Sequence, residues 1–210
     1  IDTNAGGTEG LSEVDESDAS WDGIPLKFPR IQGGDICGII VRVGEGVEQD
    51  RIGTRTIVRP MQNNPMSNNP LEMKTMGSEF NGGFAQYCVA KAKESFPINC
   101  NWSDVELASI PISYSTAEGM LCRADIEKET ILITGASGGV GSAAIQLAKI
   151  RGSTIIAQCS SDKASLLKDL GADQTVNRSD NLVKVLGKNS VDVVVDLVGG
   201  SCWPQLLDII

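Results

Sequence analysis

Apolar and polar positions along this chain follow two periods, and the change from one to the other divides it. Between residues 28 and 90 the apolar positions come in short runs with a period near two, broken by glycine. Residues 37–43 read as a strand punctuated by Gly44-Glu45-Gly46, and Gly53-Thr54-Arg55 turns into a second strand over 56–59. Residues 62–78 carry Asn, Met and Pro and read as a long polar loop; Gly82-Gly83 then leads into a further strand over 84–90. Short strands with glycine turns predict a small, irregular β-barrel. Residues 4–24, rich in Gly, Ser, Asp and Glu without periodicity, read as a mobile acidic surface loop.

Past residue 130 the pattern alternates strand with helix. A β-branched run over 131–134 stops at a glycine cluster, and 142–149 follow with helical periodicity. A strand over 154–158, a helix over 162–170 ending at Gly171, a strand over 174–177 and an apolar run over 191–198 continue the series. Repeated strand–helix–strand units predict an α/β domain with a doubly wound parallel sheet. Between the halves, Ser103-Asp104-Val105-Glu106 reads as a capping box for a short helix. A second box, Ser115-Thr116-Ala117-Glu118, is expected to open a linking helix to Leu121. The expected domains are 1–112 and 113–210. Ten residues follow Gly200, too few to complete such a sheet, so the chain reads as a fragment missing both ends or a truncated relative.

Charge and cysteine usage narrow the chemistry. A net charge of -9 argues against nucleic acid or an anionic membrane as partner, and no apolar run approaches the roughly 20 residues of a membrane helix. Six scattered cysteines form no C-x-x-C pair; most sit in apolar company and read as buried free thiols of a reducing, cytoplasmic setting. The chain has no histidine, which removes Ser-His-Asp and Cys-His catalysis and the commonest zinc ligand.

Residues 131–141 (Ile-Leu-Ile-Thr-Gly-Ala-Ser-Gly-Gly-Val-Gly) run from strand through tight turn to helix, the context a dinucleotide site requires. Gly138 has no side chain to hold off a pyrophosphate, Gly141 lets the helix approach its strand, and the free amides at the helix start can hold phosphate. Ala136 stands where G-x-G-x-x-G has its first glycine.

With Leu170-Gly171-Ala172-Asp173 downstream, Gly135-Ala136-Ser137-Gly138-Gly139-Val140-Gly141 resembles the medium-chain dehydrogenase/reductase superfamily, in particular its zinc-independent quinone oxidoreductase branch. Residues 28–43 and 82–90 resemble the GroES-like domain of that family, and Ile1-Asp2-Thr3 its motif near the substrate pocket. The resemblance implies an incomplete GroES-like β domain followed by an incomplete Rossmann domain. It assigns Ser137, Gly138, Gly139, Val140, Gly141 and Val198 to the cofactor and sets Thr116 beside the nicotinamide; Ser115 and Thr116 read equally well as helix caps. Zinc-dependent members carry G-H-E where this chain has Gly33-Gly34-Asp35, and a cysteine ligand where it has Ile112. The first ligand would precede Ile1, and residues 38–87 contain none of the four cysteines of a structural zinc lobe. No zinc is expected. Asp35 is a candidate polar contact to nicotinamide or substrate, or an acceptor that stabilises the turn before Cys37.

The end of the second strand decides between NAD and NADP. The family pattern places that position at Gln158, followed by Cys159-Ser160-Ser161-Asp162-Lys163, with Arg178 after the third strand. Hydroxyls on Ser160 and Ser161 with the cations of Lys163 and Arg178 suit a 2′-phosphate, so NADP is expected over NAD. The alternative makes Lys163 a solvated helix residue and Asp162 an N-cap or the ribose partner. The activity implied is NADPH-dependent hydride transfer to a small-molecule acceptor, a quinone or an activated carbonyl or alkene, with a homodimer expected of the full-length protein. An alcohol dehydrogenase-like enzyme and an NADPH-binding protein with little catalysis are the alternatives.

Overall fold

The computed structural model describes residues 28–64, 66–69 and 72–210. The readings made for Ile1-Asp2-Thr3 and residues 4–24 lie outside them. The chain divides into two compact units, Ile1–Pro111 and Ile112–Ile210.

In the first unit, β1 (Cys37–Ile39), β2 (Arg55–Val58) and β5 (Ser95–Pro97) form an antiparallel sheet in the order β1-β2-β5. The strand expected over 37–43 is short: pairing ends with Ile40, whose amide and carbonyl bond Thr54 and Gly53. The expected loop over 62–78 instead contains a hairpin, β3 (Met61–Asn63) paired antiparallel with β4 (Met73–Thr75). Its polar composition hid it, because Gln62 and Thr75 are themselves buried. The strand expected over 84–90 is absent as such; its large apolar side chains Phe84, Tyr87 and Val89 are mostly exposed rather than turned to a core. A small core of Ile36, Val58 and Met76, flanked by Phe80 and Ala90, holds this unit. Helix α1 (Asp104–Ala108) has the expected capping box: Ser103 accepts from the Glu106 amide at 3.3 Å, and Glu106 accepts from the Ser103 amide at 2.8 Å.

The second unit is a four-stranded parallel sheet, β8 (Gln174–Asn177), β7 (Thr154–Cys159), β6 (Thr130–Ile133) and β9 (Val193–Val195), hydrogen-bonded in that order. The chain works outward from β6 to β8 on one side and then returns to place β9 on the other. Each strand turns alternate residues to opposite faces. Ile131, Ile133, Ile155 and Ala157 join α2 (Pro111–Arg123), α3 (Gly139–Arg151) and α4 (Ala164–Asp169) in one core; Leu132, Ile156 and Val176 meet α5 (Leu182–Leu186) and α6 (Trp203–Ile209) in the other. Burial on both faces explains why β6 and β7 read as largely apolar runs, whereas the edge strand β8 buries only Val176. The segment Leu170-Gly171-Ala172-Asp173 is a clasp: Asp173 accepts from Lys149 near the end of α3 (2.7 Å) and from the Ile155 amide of β7 (2.9 Å).

The linking helix corrects the second expected capping box. Helix α2 opens at Pro111, so Ser115 lies inside it and donates to the Ile112 carbonyl at 3.3 Å. Proline at the first helical position was the start signal, and Glu118 accepts from Arg151 at 2.6 Å instead of capping. Asp162 does not cap a helix either; it lies in a 3-10 turn, Ser161–Lys163, and Lys163 is the N-cap of α4.

Candidate functional site

Between β6 and α3 the chain reverses in five residues, 134–138. Gly135 has φ +57°, and a Cβ there would lie 3.2 Å from Val198 Cγ2. The positive φ falls one position before the expected first glycine, so Ala136 fits; it is fully buried, and its amide donates to the Gln158 carbonyl of β7 at 3.2 Å. Gly141 is where α3 seats on the turn: a Cβ would come within 2.6 Å of Ala136 Cα and of the Gly135 carbonyl oxygen. Gly138 is the N-cap with an extended backbone, and no side chain caps it. The first amides of α3, on Gly139, Val140 and Gly141, therefore have neither an intrahelical acceptor nor a capping oxygen, and Gly138 and Gly139 are exposed. Positive amide dipoles with room in front are an anion site.

Two further elements border this turn. Ser113 in α2 lies 3.5 Å from where a Gly139 Cβ would stand, and Thr116, three residues on, is half-buried in the same helix. The end of β9 is tied to β6 by Asp196, whose Oδ1 accepts from Thr134 Oγ1 (2.5 Å) and the amides of Val198 and Gly199 (3.1 Å each), while Oδ2 accepts from Trp203 Nε1 (2.9 Å). Thr134 Oγ1 in turn accepts from the Leu197 amide at 2.9 Å. Burial pushes the Asp196 carboxyl up, but Thr134, Gly199, Val198 and Trp203 together hold it below the usual carboxylate value. Ser113, Thr134 and Asp196 were not among the expected site residues; an acid closing an apolar strand and followed by two glycines was the available signal for Asp196.

Beyond β7, Ser160, Ser161 and Lys163 are joined by Arg178, whose amide donates to the Cys159 carbonyl at 3.0 Å. Ser161 Oγ is taken by Asn177 Nδ2 at 2.5 Å. Asp162 lies among them: the Ser160 hydroxyl first, then its own amide, with Lys163 and Arg178 adding attraction, holds its carboxyl below the ordinary value. The hydroxyl and the two cations meant for a phosphate thus gather at one place, and an acid sits with them. Asp35 belongs to the first unit, exposed between half-buried Gly34 and buried Ile36. Among the described residues no three of His, Cys, Asp and Glu gather as a metal would require, and no helix is long and apolar enough to cross a membrane.

Residues 10–100 match the alcohol dehydrogenase GroES-like domain family, and residues 139–210 match the zinc-binding dehydrogenase family. The chain belongs to the medium-chain dehydrogenase/reductase superfamily. Among its relatives is the chloroplastic quinone-oxidoreductase QR1 of Triphysaria versicolor, 33% identical over 73% of this chain and 44% of that protein. Another is the chloroplastic NADPH-dependent alkenal/one oxidoreductase of Arabidopsis thaliana, 29% identical over 82% of this chain and 42% of that protein. A crystal structure from Sinorhizobium meliloti 1021, described provisionally as an alcohol dehydrogenase, superposes with a TM-score of 0.82 at 41% identity, covering 88% of this chain and 53% of that one. The chain spans about half the length of these relatives. Its sheet order and glycine turn are those of the superfamily's Rossmann domain, preceded by the GroES-like domain.

Proposed function

We propose that this chain carries the nucleotide-binding sheet and part of the GroES-like domain of an NADPH-dependent oxidoreductase. Its acceptor is a small molecule: a quinone, or an activated C=C or C=O bond. The observation that carries this reading is the uncapped N-terminus of α3 at the carboxyl ends of β6 and β9, where the strand order turns back. A bound nicotinamide supplies the hydride. The residues of the chain bind and orient. The amides of Gly139, Val140 and Gly141 hold the pyrophosphate, Gly138 and Ser137 leave it room, and Val198 flanks the turn in a position braced by the Thr134–Asp196 bond. Ser160, Lys163 and Arg178, with Ser161 beside them, receive the 2′-phosphate, and Thr116 serves the nicotinamide end. Asp35 is the candidate polar contact to the acceptor. Gly34 and Ile112 have no donor atom for a metal, and the chain has no histidine, which supports a zinc-independent reaction on acceptors already electron-poor. All six cysteines are free, although only Cys159 is buried where most were expected to be; free thiols favour a cytoplasmic setting, and the full-length protein is read as a homodimer.

One observation favours a second reading. Asp162, held ionised amid Ser160, Lys163 and Arg178, supports a reading in which it accepts from the cofactor ribose as an NAD-type acid does. Titrating the chain with NADPH and NADH by nucleotide fluorescence tests both. NADPH binding at least tenfold tighter, about 1.4 kcal/mol, supports the phosphate reading, and preference for NADH transfers the role to Asp162. Binding of NADPH without its oxidation by 9,10-phenanthrenequinone favours a nucleotide-binding protein.

A further inference from the structure

The first unit holds a half-open cavity of about 720 Å³, the size of a small-molecule site. Ile31, Met76, Phe80, Tyr87 and Val89 supply most of its wall, with Gln62, Asn81 and Lys91 as the long polar side chains. Two of these side chains have a buried polar atom without a hydrogen-bond partner. Gln62 is 1% exposed, and its Nε2 is satisfied by the Arg59 carbonyl at 3.0 Å while its Oε1 has nothing. Lys91 Nζ is buried with no acceptor, facing only the ring of Phe80 at 4.8 Å. A second cation is close: Arg30 precedes lining residue Ile31, donates to Asn81 Oδ1 at 3.3 Å, and has its Nε buried without an acceptor.

In a chain with 27 acidic residues and a net charge of -9, cations usually find carboxylates. Among the described residues no carboxylate lines this cavity, and neither Lys91 nor Arg30 forms an ion pair. Burying an ammonium without a counter-charge is costly, and so is burying an unpaired amide oxygen. Both costs disappear if a ligand brings an anion to Lys91 and a hydrogen-bond donor to Gln62.

We propose that this cavity binds an apolar small-molecule carboxylate. The Lys91 ammonium pairs with the carboxylate, the Gln62 Oε1 accepts from any hydroxyl or N–H the ligand carries, and the aromatic and aliphatic wall takes its hydrocarbon body. The site uses no residue of the Rossmann unit and stands or falls apart from the nucleotide.

The probe pair is 4-phenylbutyrate and 4-phenyl-1-butanol, equal in apolar body and different in charge, measured by titration calorimetry without nucleotide. The carboxylate is expected to bind at least tenfold tighter. Lys91→Met is expected to abolish that preference while leaving the alcohol unchanged, and Lys91→Arg to retain it. Cys88 also lines the cavity, so saturating phenylbutyrate should slow its alkylation by N-ethylmaleimide, with exposed Cys100 unaffected. Equal affinity for the two probes, no binding of either, or a preference that survives Lys91→Met overturns the proposal. If Lys91→Met does not fold, the probe ratio and Cys88 protection in the parent chain decide it.

Discussion

Replacing Asp196 by asparagine removes one oxygen and the charge from a carboxylate that gathers the end of β6, the turn after β9 and the start of α6. Oδ1 accepts from Thr134 Oγ1 and the amides of Val198 and Gly199, and Oδ2 from Trp203 Nε1 at 2.9 Å. In the better orientation, asparagine keeps its oxygen at the Oδ1 position. Its amide nitrogen then faces the indole N–H, donor against donor, and every remaining bond loses its charge assistance. A hydrogen bond to a charged group contributes about 1.5–3 kcal/mol. The expected loss is therefore about 2–3 kcal/mol, rising to about 3–4 kcal/mol for Asp196→Ala, which also leaves fully buried Thr134 without its acceptor. Urea unfolding at pH 7 measures this directly. Acidity adds a check of sign. The carboxyl is held below its unfolded value, so its stabilisation is present above the unfolded pKa of about 3.9 and fades as pH falls through the folded one. The gap between parent and Asp196→Asn should shrink below about pH 4. A variant within about 0.5 kcal/mol of the parent at pH 7, or a gap that widens in acid, would refute the reasoning.

Other substitutions test separate parts. Gly141→Ala puts a Cβ 2.6 Å from rigid backbone; overpacking of about 1–3 kcal/mol, offset by about 1 kcal/mol of helix propensity, should leave a net loss in urea melts and weaken nucleotide binding. Leu121→Ala empties a fully buried position of the α2 seam and is expected to cost about 2–5 kcal/mol by the same assay. Arg178→Met is expected to weaken NADPH about tenfold, or about 1.4 kcal/mol, and to leave NADH unchanged; equal loss of both would show that Arg178 does not meet the phosphate. Asp162→Asn removes the acid beside Lys163 and Arg178, so it should tighten NADPH if they hold a phosphate and weaken NADH if Asp162 holds the ribose.

The legible and illegible parts of the chain differ in how their side chains are used. β6 and β7 were readable because both faces are buried, leaving largely apolar runs, and β8 because it continues the strand–helix series at the same spacing. The β3–β4 hairpin was not, because it hides Gln62 and Thr75 among polar neighbours and so imitates a loop. Residues 84–90 erred the other way: Phe84, Tyr87 and Val89 are residues that favour strands, yet their side chains are largely exposed. Ser115 offered the residues of a capping box one turn inside a helix that Pro111 had already started, since a local motif carries no information about what precedes it.

What the sequence by itself determined is the order of elements and the chemistry available: the strand–glycine–helix turn, the α1 cap, the hydroxyls and cations after β7 and β8, and the lack of histidine. These follow from periodicity, backbone freedom and residue type, which are local properties. Only the tertiary structure decided that β9 returns to the other side of β6, that Asp196 ties the two strand ends together, and that Asp162 shares its place with Lys163 and Arg178. It also decided that Gln62 and Lys91 line one cavity, with Gln62 Oε1 and Lys91 Nζ left without hydrogen-bond partners. Each of these depends on which distant residues meet, and neither periodicity nor composition encodes a meeting between residues tens of positions apart.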